Sequence, residues 1–203
     1  MSIAQTETSP TIISGPSGVG KGTLYKRLLT DHPGVFATTI SHTTRAPRPG
    51  ETRDVDYYFI EKSEFEGMID SNAFVEHAQF GGNRYGTSKK TIEDLTASGK
   101  IVVLDIEMEG VKQIKMAGMN ARYVFIAPPG GSLEVLESRL RGRGTETEES
   151  ISKRLKQAEK ELEFSKTVGV HDVVIYNDDL DTAYAELKDF IFKERGVQDQ
   201  PVE

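Results

Sequence analysis

The chain of 203 residues contains no cysteine, no tryptophan and no excess of positive charge. Without cysteine it forms neither disulfides nor thiolate metal sites, which suits a reducing, cytoplasmic environment. No apolar run approaches the ~20 residues that cross a membrane, and a net charge of −7 argues against a nucleic-acid-binding surface. Residues 1–10 are polar and lack the basic start and apolar stretch of a secretory signal. We therefore expect a cytoplasmic protein that binds neither membrane nor nucleic acid.

Stretches with strand and helix spacing alternate along the chain, which predicts one α/β domain with a parallel sheet and helices on both faces. The predicted strands lie at 12–13, 35–40, 57–60, 74–80, 101–106, 122–127 and 170–176. The predicted helices lie at 23–32, 62–71, 89–98, 108–116, 133–140, 147–164 and 180–194. Between them, 43–56 is predicted as a loop and Gly81-Gly82-Asn83 as a turn. The mixed segment 41–88 interrupts the alternation and is interpreted as an inserted lobe.

A glycine-rich string, Gly-Pro-Ser-Gly-Val-Gly-Lys-Gly-Thr at 15–23, directly follows the first predicted strand. Near-forms of this string occur where a strand ends, a loop wraps a phosphate chain and a helix begins. Glycines let successive backbone N–H groups face an anion, and Lys21 adds positive charge for the outer phosphates. The string predicts a site for a nucleoside triphosphate with Mg²⁺; the alternative is a glycine-rich turn that caps a helix. Gly22 stands where a serine or threonine usually binds the metal, so we expect Mg²⁺ to be held through water or another residue.

The inserted lobe carries two arginines, Arg45 and Arg48, on a loop stiffened by prolines. Guanidinium groups bind phosphate through paired hydrogen bonds, and Tyr57 and Tyr85 offer hydroxyl donors to the same phosphate. The alternative is a solvated basic loop.

A carboxylate also lies in the lobe, at Glu76 in the predicted strand 74–80. Strict alternation would place its side chain on one face with Phe74 and Ala78, where a carboxylate is costly unless a donor pairs with it. The alternative is that Glu76 belongs to the exposed face of the strand.

These motifs together resemble the guanylate kinase family, whose members phosphorylate GMP. The resemblance covers roughly residues 11–193 and rests on segments 14–21, 41–51, 56–59, 74–80, 85–88, 104–107, 142–149 and 175–180. It implies a P-loop NTPase fold with an inserted mixed α/β GMP-binding lobe and a helical lid. The implied domain spans 11–195, with the core at 11–40 and 89–195, the lobe at 41–88 and the lid at 142–155. A flexible N-terminal tail is expected at 1–10 and a C-terminal tail at 196–203.

The resemblance assigns roles to individual residues. The implied ATP-binding residues are Gly15, Pro16, Ser17, Gly18, Val19, Gly20, Lys21, Gly22, Thr23, Arg143, Arg154 and Asn177, the last near the adenine. The implied GMP-binding residues are Ser41, Arg45, Arg48, Glu51, Tyr57, Glu76, Tyr85, Gly86, Thr87, Asp105 and Glu107. The implied catalytic residues are Lys21, Arg48, Arg143 and Arg154, and Asp105 would hold Mg²⁺ through water. In this set Glu76 recognises guanine with help from Ser41 and Thr87.

Two of these assignments leave alternatives open. The arginine run at 139, 141 and 143 is either part of a lid that closes over ATP or a solvated helix end. Glu107 stands where many family members have aspartate, so the charge toward GMP is kept but the side chain reaches further.

The implied reaction is Mg²⁺-dependent transfer of a phosphoryl group from ATP to GMP or dGMP, in purine metabolism and GMP recycling. The protein would act as a monomer or homodimer. Two other functions compete with this one. The first is a phosphopeptide-binding module like the kinase-like domains of membrane-associated scaffolds, against which the intact lysine and arginines argue. The second is a kinase for another acceptor, such as AMP or a sugar phosphate, and Glu76 with Thr87 distinguishes between the acceptors.

Overall fold

The computed structural model describes residues 9–142, 144 and 146–193. The predicted C-terminal tail, most of the N-terminal tail and Arg143 therefore lie outside the described residues. Among the helices described, none has both the length and the apolar character that crossing a membrane requires.

Strands and helices alternate through the described residues, as the sequence predicts. The strands are β1 (Thr11–Ser14), β2 (Phe36–Thr38), β3 (His42–Thr43), β4 (Tyr58–Phe59), β5 (Phe74–Phe80), β6 (Asn83–Ser88), β7 (Ile101–Asp105), β8 (Arg122–Ala127) and β9 (Val173–Tyr176). The helices are α1 (Lys21–Asp31), α2 (Lys62–Asp70), α3 (Lys89–Ala97), α4 (Met108–Met116), α5 (Leu133–Gly142), α6 (Glu148–Ser165) and α7 (Leu180–Lys193). A short 3₁₀ turn spans Pro129–Gly131.

The main sheet has five parallel strands in the order β2, β7, β1, β8, β9, so the first strand of the chain lies at its centre. Successive side chains of a strand point to opposite faces, and Ile12 and Ile13 are both fully buried in β1. Ile13 packs in one core with Leu24 of α1, whereas Ile12 packs in a second core with Ile114 of α4. The two cores on opposite faces confirm the predicted α/β fold.

The inserted lobe forms a separate four-stranded sheet in the order β4, β3, β6, β5. Its β5–β6 hairpin turns at Gly81 and Gly82, whose φ values of 56° and 79° suit glycine. The predicted turn is therefore confirmed, whereas the predicted loop at 43–56 is wrong at its first residue. Thr43 belongs to β3 and is fully buried, and its hydroxyl donates to the Arg84 carbonyl oxygen at 3.0 Å. A strand of two residues is too short to leave a periodic pattern.

Three further differences come from local pairing. The sequence analysis did not assign a strand at 83–88, where β6 pairs with both β3 and β5. The predicted strand at 170–176 begins only at Val173, because Val170 closes a turn by donating to the Thr167 carbonyl. The third difference is a bulge in β5: Phe74 pairs with Ser88, but Glu76 pairs with the next residue along, Thr87.

The bulge overturns the expectation that Phe74 and Glu76 share a face. Phe74 stacks on Phe65 inside the lobe, with ring centroids 4.5 Å apart. Glu76 instead follows Val75 toward the core, and its Cβ and Cγ lie 3.5 Å from the position a Cβ would take on Gly110 of α4. One extra residue in a strand breaks the two-residue period, which redirects the carboxylate out of the lobe interior.

Candidate functional site

The glycine-rich loop joins β1 at the sheet centre to the N-terminus of α1, as the string predicts. Gly15 has φ 141°, and a Cβ there would lie 2.2 Å from the Ile126 carbonyl oxygen of β8. Gly20 caps α1 in the left-handed region with φ 106°. Its carbonyl accepts the N–H groups of Thr23 and Leu24, so the first turn of the helix is closed on the loop. Unpaired N–H groups at the start of a helix favour an anion there.

Lys21 lies along the inner side of this loop. Its Nζ donates to the Gly15 carbonyl oxygen at 2.6 Å and lies 3.8 Å from the Asp105 carboxylate at the end of β7. The ammonium group is thus held between the phosphate loop and the neighbouring strand. In an open parallel sheet, ligands bind outside the carboxyl ends of the strands, which is where both groups lie.

Asp105 lies between the phosphate loop and a cavity beneath the inserted lobe. Its side chain is 40% exposed on the cavity side, while the protein surrounds the rest of the carboxyl group. Partial withdrawal from water raises its pKa, the positive charge of Lys21 opposes that rise, and Glu107 reinforces it. Carboxylate oxygens are ligands that Mg²⁺ prefers, so Asp105 fits the implied role in holding the metal.

Gly22 has room for the hydroxyl-bearing residue that usually occupies this position. A Cβ on Gly22 would meet only the Tyr25 ring, at 3.8 Å. The described residues contain no group of three acidic or histidine side chains arranged to hold a metal ion.

A cavity of about 600 Å³ opens between the inserted lobe and the main sheet. It is lined by seven of the residues that the resemblance assigned to GMP, namely Ser41, Tyr57, Glu76, Tyr85, Thr87, Asp105 and Glu107. Tyr25, Phe80 and Glu109 also line it and were missed by the sequence analysis. Phe80 is 79% exposed at the end of β5, which is unusual for a large apolar residue.

Glu76 lies on the wall of this cavity and packs against α4 near Gly110. Burial raises its pKa, hydrogen bonds from the side chain and backbone of Thr87 lower it, and the charge of Glu107 raises it. Thr87 itself is 1% exposed. The position is therefore a recessed carboxylate beside a buried hydroxyl, and the alternative that Glu76 belongs to an exposed strand face does not describe it.

The two arginines of the lobe have different environments. Arg45 makes two hydrogen bonds to the Glu51 carboxylate, at 2.8 and 2.9 Å, and its guanidinium lies 5.4 Å from the centroid of the Tyr57 ring. Glu51 also accepts the backbone N–H of Arg48 at 2.7 Å, whereas the Arg48 side chain is exposed. Glu51 thus fixes the arginine loop and does not line the cavity, although the resemblance placed it among the GMP-binding residues.

Gly86 is the remaining member of the predicted GMP set, and it is buried in β6 rather than on the cavity surface. A Cβ there would lie about 3 Å from Phe74 and from the Glu76 carbonyl oxygen. The glycine therefore permits the close packing of β5 and β6 behind Glu76.

The segment predicted as a lid contacts the phosphate loop through Arg154 of α6. Its Nη1 donates to the Ser17 hydroxyl at 2.5 Å, and its Nη2 lies 3.2 Å from the Glu146 carboxylate. The structure therefore brings one predicted lid arginine to the predicted ATP site. Its predicted companion, Arg143, lies outside the described residues.

Two charged residues of this region were not among the predicted site residues. Arg139 of α5 was interpreted only within an arginine run, yet its guanidinium donates to the Val19 and Asn177 carbonyl oxygens at 3.1 and 2.9 Å. Its position three residues after the buried Leu136 was the available signal. Glu161 of α6 is 5% exposed. Burial raises its pKa, and the hydrogen bond from Gln157 and the charge of Lys21 oppose that rise. It lies seven residues after Arg154, on the same helix face.

Asn177 is placed beside the phosphate loop, immediately after β9. It is 5% exposed, and its Nδ2 donates to the Val19 carbonyl oxygen at 2.7 Å. Its side chain thus contacts the loop backbone, and its place near the adenine stays a prediction.

Known proteins match this chain over nearly its whole length. The guanylate kinase family model matches residues 7–194. Human guanylate kinase is 51% identical over 185 residues, which cover 91% of this chain and 93% of that protein. The guanylate kinase of Schizosaccharomyces pombe is 50% identical over 179 residues, which cover 88% of each chain.

Solved structures agree with the sequence matches. The crystal structure of guanylate kinase from Anaplasma phagocytophilum aligns with a TM-score of 0.63 at 28% identity, covering 98% of this chain and 92% of that one. An SH3-kinase fragment of tight junction protein 3 aligns with a TM-score of 0.53 at 16% identity, which indicates a shared fold only. The match to the family model and the identity of about half the residues to curated members show that the chain belongs to the guanylate kinase family.

Proposed function

We propose that this protein transfers the γ-phosphoryl group of ATP to GMP or dGMP in an in-line, Mg²⁺-dependent reaction. The observation that carries the proposal is the position of Asp105, which lines the cavity beneath the lobe and lies 3.8 Å from Lys21 of the phosphate loop. A triphosphate on the loop and a monophosphate in the cavity would therefore meet at one point. Holding two reactants in line supplies much of the catalysis of phosphoryl transfer.

The arginines would neutralise the charge of the transferring group. Arg154 already contacts Ser17 of the loop, and Arg143 is predicted to join it from the lid. From the lobe, Arg45 and Arg48 would hold the phosphate of GMP, with hydroxyl groups of Tyr57 and Tyr85 beside them. Guanidinium groups suit this role because they stay charged and donate in pairs.

Recognition of guanine would depend on Glu76. The Watson–Crick edge of guanine presents an N1–H and an exocyclic NH₂, which are two donors that one carboxylate accepts together. Adenine presents an acceptor at N1 and would leave the recessed carboxylate unpaired, which is costly. Ser41 and Thr87, which line the same cavity, would assist from the side of the lobe.

Bound Mg²⁺ would neutralise charge on the phosphate oxygens. Asp105 is the residue that would hold it, through water, and Gly22 provides no ligand. The adenine would lie near Asn177. We further propose that the enzyme acts in the cytoplasm in GMP recycling, as a monomer or homodimer, with a lobe at 41–88 and a lid at 142–155 that close on the core.

The phosphopeptide-binding module that the sequence left open is the second candidate function. The contacts of Lys21 with the phosphate loop and of Arg154 with Ser17 favour the enzyme. A kinase for another acceptor is the third, and the recessed Glu76 favours guanine over AMP or a sugar phosphate.

One coupled assay of ADP release separates these functions. The purified protein is tested with ATP, Mg²⁺ and each of GMP, dGMP, AMP, CMP and UMP, and Lys21→Ala serves as the control for contaminating kinases. We expect turnover with GMP and dGMP alone, and none after chelation of Mg²⁺. Absence of GDP above background with folded protein would refute the proposed function, and faster turnover of AMP would favour a different acceptor.

A further inference from the structure

One backbone carbonyl of the phosphate loop, that of Val19, accepts two side-chain hydrogen bonds. Asn177 Nδ2 donates to it at 2.7 Å and Arg139 Nη1 at 3.1 Å. The two donors come from different elements, one following β9 and the other within α5. They are also joined to each other, because Arg139 Nη2 donates to the Asn177 carbonyl oxygen at 2.9 Å.

The donors are themselves fixed in place. The backbone N–H of Asn177 donates to the Ala127 carbonyl oxygen at the end of β8, at 2.9 Å. Asn177 is 5% exposed, so its amide group has little freedom to turn toward water. Val19 is fully buried and packs in the main core. This part of the loop therefore rests on a rigid support made by the sheet and α5.

Because the peptide bond is planar, fixing the Val19 carbonyl also fixes the direction of the Gly20 N–H group. The Val19 carbonyl and the Gly20 N–H belong to one trans peptide unit, in which the C=O and N–H bonds point in opposite directions. Two donors that hold the carbonyl on the Asn177 side therefore hold the Gly20 N–H on the other side, away from Asn177. On its C-terminal side, the carbonyl of Gly20 is held by the N–H groups of Thr23 and Leu24.

Glycine is needed at this point for a steric reason as well. Gly20 has φ 106°, and a Cβ there would lie 2.4 Å from Asn177 Nδ2. Glycine tolerates both the close approach of Asn177 and the left-handed backbone, so the loop keeps this conformation while Asn177 supports it.

We propose that Arg139 and Asn177 are positioning residues that orient the Gly20 N–H toward the phosphates of ATP by holding the Val19 carbonyl. The proposal rests on the proposed function, since it takes the loop to be the ATP site. It gives Asn177 a role toward the phosphates that is separate from its predicted place near the adenine. A preorganised donor contributes more than a free one because it needs no reorientation on binding.

The test compares nucleotide binding by Asn177→Ala, Arg139→Met and Arg139→Lys with a matched control. Arg141→Met changes an arginine two residues along the same helix, whose ion pairs with Glu137 and Glu148 lie on the surface. We expect the Kd for ADP to rise about 10-fold in Asn177→Ala and Arg139→Met, the scale of one lost hydrogen bond. Arg139→Lys keeps one donor group, so its Kd for ADP should rise less. The Kd for GMP should not change in any variant, and Arg141→Met should match the wild type.

A direct readout is the amide resonance of Gly20 in ¹H–¹⁵N spectra. A hydrogen bond to a phosphate oxygen is short and charge-assisted, so ADP should move this resonance downfield in the wild type and much less in Asn177→Ala. A purely structural role would lower thermal stability but leave this shift and the ADP-to-GMP affinity ratio unchanged, which would overturn the proposal. If Arg139→Met does not fold, the Kd for ADP and the Gly20 shift in Arg139→Lys and Asn177→Ala decide the test. If the wild type itself forms no GDP, the proposed function fails instead.

Discussion

Replacing Glu76 with glutamine tests the recognition of guanine most sharply. The amide has the size of the carboxylate, so the packing against α4 near Gly110 and the hydrogen bond from the Thr87 hydroxyl can remain. It presents one acceptor and one donor, however, where guanine needs two acceptors. One charge-assisted hydrogen bond is lost, at about 1.5–3 kcal/mol, and one donor is left facing another, at about 1–3 kcal/mol. The sum predicts a fall in kcat/KM for GMP of roughly 10²- to 10⁴-fold.

Inosine monophosphate provides the matched substrate, because it keeps the N1–H of guanine and lacks the exocyclic NH₂. The wild type should prefer GMP over inosine monophosphate by about 10- to 100-fold, the scale of one charge-assisted hydrogen bond. In Glu76→Gln the preference should disappear or reverse, because inosine monophosphate still donates from N1 and has no NH₂ to oppose the glutamine donor. The assay is steady-state release of ADP with each substrate.

Stability and pH give independent controls on this variant. Because burial raises the pKa of Glu76, the charged carboxyl is disfavoured in the fold, and Glu76→Gln should melt at or above the temperature of the wild type. In the wild type the KM for GMP should rise as the pH falls, beginning above the ordinary carboxyl pKa of 4.5. A Glu76→Gln enzyme that kept wild-type efficiency and preference for GMP over inosine monophosphate would refute the reasoning, and Glu107 would be the next candidate.

Three further predictions concern charge, metal and acid stability. Loss of one electrostatic partner should lower kcat by roughly 10²- to 10⁴-fold. Steady-state kinetics would measure this in Lys21→Ala, Arg48→Ala, Arg143→Ala and Arg154→Ala. A near-normal kcat in any one variant would remove that residue from the proposed catalytic set. Gly22→Ser has space for its side chain and should lower the half-saturating Mg²⁺ concentration several-fold. It should also raise the melting temperature slightly, since glycine weakens a helix. An unchanged Mg²⁺ dependence would contradict the role given to this position. His171, with Nε2 2.9 Å from Ser14 Oγ, has its pKa lowered to about 4 by burial and by Lys115, against the opposing charge of Asp172. The unfolded chain therefore takes up this proton first, and stability present above pH 6.5 should fall by up to about 3 kcal/mol toward pH 4; denaturant unfolding of His171→Phe should show a flatter pH dependence, and an equally steep one would exclude the histidine as the cause.

The long elements were predictable because each carries its own pattern. Helix 108–116 and strand 122–127 have the predicted bounds, since apolar spacing over nine residues and a continuous apolar run are local properties of the chain. The short elements were not predictable. Strand β3 has two residues and exists only because β6 and β4 pair with it on either side.

The candidate site also has a part that local sequence predicts and a part that it does not. The phosphate loop followed from a contiguous string, because the strand end, the glycines and the lysine are adjacent in sequence and one local geometry determines their contacts. The resemblance to guanylate kinases supplied the GMP-binding residues, but their grouping depends on distance in space. Arg45 and Glu51 were both predicted to contact GMP, and only the fold shows that they pair with each other at 2.8 Å.

The α/β class, the phosphate loop and the family follow from the amino-acid sequence, because local spacing and contiguous motifs encode them. Only the fold sets which way Glu76 faces, since a bulge depends on the pairing of β5 with β6 and leaves no periodic trace. It also decided that Arg139 and Asn177, 38 residues apart, meet at the Val19 carbonyl. A backbone carbonyl is common to every residue type, so the sequence carries no signal for which one a distant side chain will hold.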